Sequence, residues 1–331
     1  MILHIRPDLP AADLATLADR IGGTPVQHRD GPRIVLSSSV MEVPDLARNA
    51  TEASFTFPTD IQFASAGYGP RRTVHLGERA IGGDGNATLV ITGPCSVESE
   101  DQIMAMAGFC ADQGVGVLRA GCFKPRTSPY SFQGLGEEGL RLLRAAGDAH
   151  GLRIITEVRD ATHVDAVIET TDIIQIGAKA MYDHGILRAC GAARKPVLLK
   201  RGFGSTLQEF VQAAEFVLSG GNEDVILCER GIRTFETKTR FTLDLCGVAW
   251  LKEHTNLPVV VDPSHAIGYR YGVADLSRAA VAMGVDGLII ESHPDPSVAR
   301  SDAAQQLDRE AFAELLASLR PVANAVGRRI I

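Results

Sequence analysis

The chain has 331 residues, 45% of them hydrophobic and 22% charged, a globular composition that excludes a disordered or fibrous protein. Its length suits one barrel-sized domain or two smaller ones. With 33 Lys and Arg against 40 Asp and Glu the net charge is −7, so no basic footprint for nucleic acid exists and an anionic ligand must meet locally clustered cations.

No apolar run reaches about 18 residues, and MILHIRPDLP has no apolar signal core, so neither a membrane span nor a leader is expected. Six cysteines without a Cys-x-x-Cys pair do not form a disulfide scaffold. The expected location is the reducing cytoplasm.

Residues 1–60 predict a small α+β module. Met1–Arg6 reads as a strand, and Ala11–Ile21 carries Leu14, Leu17 and Ile21 at helical spacing before Gly22-Gly23. Thr24–His28 and Arg33–Ser37 read as strands about an Asp30-Gly31 turn, and Val43–Ala50 suits a second helix. Phe55–Gly69 reads as a linker and Arg72–Gly85 as a hairpin turning at Gly77-Glu78. Linker and hairpin together are assigned residues 61–87, and the remainder is assigned 88–331.

From Thr88 onward a rhythm sets in. Short apolar runs recur at Thr88–Thr92, Val115–Arg119, Arg153–Val158, Asp172–Ile176, Pro196–Lys200, Asp224–Cys228, Pro258–Val261 and Gly287–Glu291. Their spacing of about 28 residues fits a strand, a loop and a crossover helix. Gln102–Gln113, Gly139–His150, Leu207–Leu218 and Ser277–Met283 supply such helices. An open doubly wound sheet could carry this alternation, but no G-x-G-x-x-G follows the first strand, and eight regular units favour closure. The expected fold is an α/β protein: a (β/α)8 TIM barrel, with its site at the C-terminal strand ends.

Function should then be written where each apolar run turns polar. Arg119, Lys124, Arg126, Lys179, Lys200 and Arg230 follow strands two, four, five and six. They exceed what the nearby Glu157 and Glu229 neutralise, and buried cations require anionic partners. The group asks for at least two anionic ligand moieties, most plausibly phosphate and carboxylate. Cys95, His265, Glu291 and Asp302 offer a thiolate, an imidazole and two carboxylates, a set suited to Mn²⁺, Fe²⁺, Co²⁺ or Zn²⁺ and unusual for Mg²⁺. Taken alone, Cys95 equally suits a buried small hydrophobe. His163, His184 and His254 read as solvated, His293 as a residue orienting Glu291, Asp295 as a cap, and Trp250 and Phe241 as packing.

These strand-end phrases resemble the 3-deoxy-D-arabino-heptulosonate 7-phosphate (DAHP) synthases, in the subgroup shared with the 3-deoxy-D-manno-octulosonate 8-phosphate (KDO8P) synthases and in forms with a ferredoxin-like domain in front. The motifs are GPCSVES at Gly93–Ser99, RAGCFKPRTSPYSFQG at Arg119–Gly134, LLKRG at Leu198–Gly202 and CERGIRTFET at Cys228–Thr237. DPSHA at Asp262–Ala266 and ESHPDP at Glu291–Pro296, followed by Ser301-Asp302, complete the set.

The resemblance implies a metal-dependent, aldol-like condensation of phosphoenolpyruvate with an aldose phosphate, the first step of the shikimate pathway. Cys95, His265, Glu291 and Asp302 would be the metal ligands. Arg119, Lys124, Lys200 and Arg230 would hold phosphoenolpyruvate, with Lys179 at the position of the family's phosphate-gripping arginine. Arg126 and Thr127 would grip the phosphate of the aldehyde substrate, and the Lys-Pro-Arg-Thr run favours erythrose 4-phosphate over arabinose 5-phosphate. Lys124 would donate a proton near the aldehyde oxygen, beside Cys95 and His265. The resemblance also implies a homo-oligomer, usually a tetramer, and a front module that binds an aromatic amino acid and gates the mouth.

Several phrases depart from the family's usual wording. The fourth-strand motif reads Gly177-Ala178-Lys179-Ala180-Met181-Tyr182-Asp183 in place of Gly-Ala-Arg-Asn-Met-Gln-Asn. Lysine keeps the charge and loses the planar two-pronged grip. Gly202-Phe203-Gly204-Ser205-Thr206 replaces a Met-Ser-Ala-Thr type of loop, Tyr269 stands where an arginine is common, and Ala303 where a glycine is usual. Two other readings accompany the first: a specialised relative that accepts a different aldose phosphate, and a non-catalytic ligand-sensing protein on the same barrel.

Overall fold

The structure is a computed structural model that describes residues 1–124, 128 and 130–331. The front module is built by alternation. Strand β1 (Ile2–Ile5), helix α1 (Ala11–Arg20), β2 (Thr24–His28), β3 (Gly31–Val35) and β4 (Thr51–Phe55) form an antiparallel sheet of order β2-β3-β1-β4 under one helix. Leu14 and Ala18 of α1 bury against Leu3, Ile5 and Ile34.

Two local readings change here. The expected second helix is a 3-10 turn, Asp45–Ala50, because six residues offer too few hydrogen bonds to offset helix nucleation. Residues 51–54, given no element, form β4 together with Phe55, the first residue read as linker; it is an edge strand whose mostly exposed Thr-Glu-Ala-Ser-Phe run gives no apolar alternation to read.

Next come a hairpin of β5 (Thr73–Leu76) and β6 (Arg79–Gly82), then β7 (Ala87–Gly93), α2 (Glu100–Asp112), β8 (Val117–Arg119), α3 (Glu137–His150) and β9 (Arg153–Val158). Helix α4 (Val164–Thr170), β10 (Ile173–Ile176), α5 (His184–Ala192), β11 (Val197–Lys200), α6 (Leu207–Ser219) and β12 (Val225–Glu229) continue the alternation. It ends with α7 (Leu245–His254), β13 (Val259–Val261), α8 (Pro263–Ile267), α9 (Val273–Ala282), β14 (Gly287–Glu291), α10 (Arg309–Ala325) and β15 (Arg329–Ile330). Strands β7 to β14 are all parallel, and pairing of β14 with β7 closes the barrel. The final β15 lies beside the first residues of β7.

Successive side chains on each strand point to opposite faces. Leu89, Ile91, Val117, Ile155, Leu198, Ile226, Val260 and Ile289 fill the interior, while Val90, Leu118, Ile154, Leu199, Leu227 and Leu288 pack outward with the helices. Val74, Leu76 and Ile81 of the hairpin join the interior cluster and plug the N-terminal end. No helix among the described residues is long and apolar enough to cross a membrane.

The module docks near that same end. His28 lies 3.2 Å from both the Leu218 carbonyl and Glu223, and Arg29 pairs with Asp224. Glu215 of α6 accepts hydrogen bonds from the backbone N–H groups of Gln62, Phe63 and Ala64 at 2.6, 3.2 and 2.8 Å, tying the connecting segment to the barrel. Burial pushes this carboxyl up to about 7 against the pull of those amides. Glu215→Ala strands all three donors, and the expected loss is roughly 2–4 kcal/mol of stability, read from the urea midpoint.

Candidate active site

The apolar strands end where the chain needs polar side chains, and local turns aim them. After β7 the chain turns at Gly93 (φ 145°), where a Cβ would stand 2.1 Å from the Arg119 carbonyl. That turn buries Cys95, whose N–H donates to Gln306 Oε1 at 2.9 Å. After β13, Asp262 caps the short α8 by accepting the His265 N–H at 2.9 Å. Asp262 Oδ2 also accepts from His265 Nδ1 at 2.8 Å. A carboxylate only accepts, so Nδ1 carries the proton and Nε2 presents a lone pair. Glu291 ends β14. Asp302 follows on the next loop with φ 46°, the one non-glycine among the described residues in the left-handed region, a conformation aspartate tolerates better than most.

Those donors converge. Ligand atoms of Cys95, Glu291 and Asp302 lie within 4.8 Å of one another. His265 Nε2 stands 3.4 Å from Glu291 Oε1 and 3.9 Å from Asp302 Oδ2. Nε2 facing two carboxylates is favourable only with positive charge between them, either a proton on the imidazole or a bound cation. The donor set therefore fits a divalent ion: one thiol, one imidazole oriented by a carboxylate behind it, and two carboxylates.

Burial dominates the titration of these groups. It pushes the Cys95 thiol up to about 11, with Glu291 and Asp302 adding to it and Lys124 opposing. It keeps the His265 imidazole below its ordinary value, against Asp262 and Glu291. For Asp262 it is outweighed by His265 and Lys200, and for Asp302 by His265, Arg240 and Lys124; both carboxyls sit well below the usual range. A thiol is the one donor here that must lose a proton to ligate, and a coordinated cation supplies the driving force.

The cations stand around this group. Arg119 Nη1 bonds Glu291 at 2.6 Å and the Pro94 carbonyl at 2.8 Å. Lys124 Nζ lies 2.9 Å from the Cys95 carbonyl and 3.1 Å from its sulfur. Lys200 bonds Asp262 at 2.5 Å. Buried Arg230 lies over the Phe241 ring, 4.4 Å from its centroid, and its Nη1 has no hydrogen-bond partner among the described residues. Lys124, Lys179, Lys200, Arg230, His265 and Asp302 all line one cavity of about 330 Å³. Arg126 and Thr127 lie outside the described residues.

Sequence reasoning misjudged which acids balance the rim. Glu229 serves Arg201 at 2.9 Å and the Gly231 N–H at 2.7 Å, while Asp262 and Glu291 take Lys200 and Arg119. Asp262 sat unremarked inside a quoted motif, although Asp-Pro before a short helix is a capping signal. His293 does not touch Glu291; its Nε2 faces Glu98 at 3.6 Å. Phe241 is no mere filler. It stacks on Phe203 at 5.3 Å, and Arg233 lies over the other ring at 4.8 Å, so loops after β11 and β12 form one wall of the cavity. Of the histidines read as solvated, His163 stacks on Phe123, His184 on Phe216 and His254 on Trp250.

Compared with known proteins, residues 67–326 match the model of the DAHP synthetase I family. The chain belongs to this family. It is 48% identical over 270 residues to the phospho-2-dehydro-3-deoxyheptonate aldolase of Thermotoga maritima, covering 81% of this chain and 79% of that protein. To the 2-dehydro-3-deoxyphosphooctonate aldolase of Syntrophotalea carbinolica it is 35% identical over 253 residues, 71% of this chain and 90% of the other. The crystal structure of a Thermotoga maritima DAHP synthase aligns over 100% of this chain and 99% of its own, with a TM-score of 0.81 at 38% identity.

Of the residues that depart from the family's phrases, Lys179 and Phe203 line the cavity, Tyr269 stacks on Tyr271, and Ala303 lines a separate pocket.

Asp262 holds two buried positive or proton-bearing partners, so Asp262→Ala strands both. The metal-free protein should lose about 3–5 kcal/mol, measured by chemical denaturation. The sign with pH follows from the depressed carboxyl: its contribution is complete above its unfolded value of about 4 and fades as pH falls through the folded one. The variant should lack that slope.

Proposed function

We propose that this enzyme condenses phosphoenolpyruvate with erythrose 4-phosphate to give DAHP and inorganic phosphate, and that it requires a divalent metal ion held by Cys95, His265, Glu291 and Asp302. The observation that carries the reading is the convergence of the Cys95 sulfur, the His265 Nε2 and the Glu291 and Asp302 carboxylates, beside a cavity rimmed by cations. When bound, such an ion polarises the aldehyde carbonyl as a Lewis acid.

The chain's own residues do the rest. Arg119, Lys124, Lys200 and Arg230 hold the carboxylate and phosphate of phosphoenolpyruvate, with Lys179 on the phosphate. The orphaned Arg230 Nη1 supports an anion there, since a buried guanidinium N–H without an acceptor is costly. Arg126 and Thr127 take the sugar phosphate. Carbon 3 of phosphoenolpyruvate attacks the aldehyde carbon, and water adds to the resulting cationic C2. The tetrahedral phosphohemiketal then collapses, and its C–O bond breaks to release phosphate. Lys124, an ammonium 3.1 Å from the Cys95 sulfur, delivers the proton to the nascent hydroxyl. Holding both substrates by their anionic ends turns a bimolecular step into a positioned one. The same reading divides the chain into a front module at 1–60, a linker and hairpin at 61–87 and the catalytic barrel at 88–331.

A second reading has a specific observation behind it. Lys179 and Phe203, two departures from the family's phrases, both line the cavity, which suits a relative that takes a different aldose phosphate. The deciding measurement is phosphate release from phosphoenolpyruvate with erythrose 4-phosphate and arabinose 5-phosphate side by side, with product mass. Turnover confined to the five-carbon sugar would overturn the first reading. Cys95→Ala should lose stoichiometric metal together with at least roughly a hundredfold of kcat, and full turnover by the chelated variant would remove metal from the reaction.

A further inference from the structure

Two adjacent glutamines on the loop after Asp302 are 2% and 0% exposed, and both spend their amides on the groups that converge at the candidate metal site. Gln305 Oε1 accepts from Arg240 Nη1 at 2.9 Å. An arginine only donates, so this contact fixes which end of the amide is oxygen. Its Nε2 must then face the carboxylates, and it donates to Glu291 Oε2 at 2.6 Å and approaches Asp302 Oδ2 at 3.4 Å. Gln306 works on the other side of the cluster. Its Oε1 accepts the Cys95 backbone N–H at 2.9 Å, and its Nε2 donates to the Ser301 carbonyl at 2.9 Å.

We propose that Gln305 is the positioning residue that holds Glu291 and Asp302 at ligating separation, with its amide orientation locked by Arg240, and that Gln306 does the same for Cys95. The proposal rests on the metal reading above. The chemistry explains the residue type. Two neighbouring carboxylates repel and would splay apart in the absence of an ion. A lysine between them would hold them but would compete with the ion for their charge. An acid would need a proton to donate. A neutral amide donates to both carboxylates and adds no positive charge to that already supplied by Arg119 and Arg240. Asp302 gains most, because its left-handed backbone leaves the direction of its carboxylate to side-chain contacts such as those with Arg240 and Gln305.

The test uses Co²⁺ titrated into metal-free, full-length protein, followed by the thiolate-to-cobalt absorption. Gln305→Leu should weaken Co²⁺ binding roughly 10- to 100-fold, the usual effect of losing a group behind a metal ligand. The shape of the band at saturation should stay unchanged, because Cys95 is held separately. Gln306→Leu should alter the band itself. A general loosening of the fold would move both readouts together in either variant and overturn the proposal, as would Co²⁺ affinity within threefold of the parent in Gln305→Leu. Should Gln305→Leu fail to fold, Gln305→Asn keeps the amide but is one methylene too short to span both carboxylates. It should show the same loss in affinity, and parental affinity in it overturns the proposal. A parent without any thiolate band would instead sink the metal reading itself.

Discussion

Closure of the barrel between its first and last strands is the constraint on which the site depends. The parallel register of β14 on β7 runs from Gly287 opposite Leu89 to Glu291 opposite Gly93. It sets the Glu291 carboxylate beside the turn that carries Cys95, nearly two hundred positions away in the chain. A slip of one residue would point Glu291 outward among the helices, since side chains alternate faces along a strand. The interior layer of Leu89, Ile91, Val117 and Ile289 opposes such a slip, because it would expel every one of them from the core. The ligand set is therefore a by-product of hydrophobic alternation, with chemistry placed one step beyond the last apolar residue.

Around that point the electrostatics are a balance of buried opposites. Asp262 with Lys200 and His265, Glu291 with Arg119, and Asp302 with Arg240 form a chain in which most charges have a partner. Breaking one link leaves a buried charge alone, which is far more costly than the pair is favourable. Two members stand outside the balance. The Cys95 thiol is held protonated by burial, and Arg230 keeps an amino group without an acceptor. On the proposed reading, a cation at the sulfur and an anion at the guanidinium would each supply the missing partner, two binding events of opposite charge.

The sequence made much of this legible because strands that are buried on both faces read as dense apolar runs. The runs at Arg153–Val158 and Gly287–Glu291 coincide with β9 and β14, and the others agree within one or two residues. What stayed hidden had no local signature. Edge strand β4 is mostly exposed, so no burial pattern marked it. Beyond the local capping of His265 by Asp262, the bonds of Asp262 to Lys200, Gln305 to Glu291 and Gln306 to Cys95 join groups brought near only by folding, and a polar residue on a loop announces nothing about such a partner. Phe241 was read as packing because an isolated aromatic carries no sign that an arginine will lie across its face. The barrel geometry brings the strand-end cations Lys124, Lys179, Lys200 and Arg230 to one cavity, while the count of their counter-ions failed because only acids on the nearest strands were considered.

The arrangement also separates two kinds of evolutionary freedom. The cluster of Cys95, His265, Glu291 and Asp302 is braced from behind by Asp262, Gln305 and Gln306. The departures at Lys179 and Phe203 lie on the loops after β10 and β11, across the cavity. Contacts between Phe203, Phe241, Arg230 and Arg233 tie the loop after β11 to the loop after β12 in a wall of their own, joined by an Arg233 N–H bond to the Phe203 carbonyl at 2.7 Å. Substitutions in that wall can reshape the cavity without touching the bonds that orient the proposed metal ligands. The front module is placed further away still, against the loop before β12 at the plugged end of the barrel. Among the described residues the module reaches the barrel through the loop before β12, at His28 and Arg29, and through the connecting segment, which Glu215 of α6 and Asn256 before β13 fasten in place, so any influence of the module on the mouth within one chain has these contacts as its starting points.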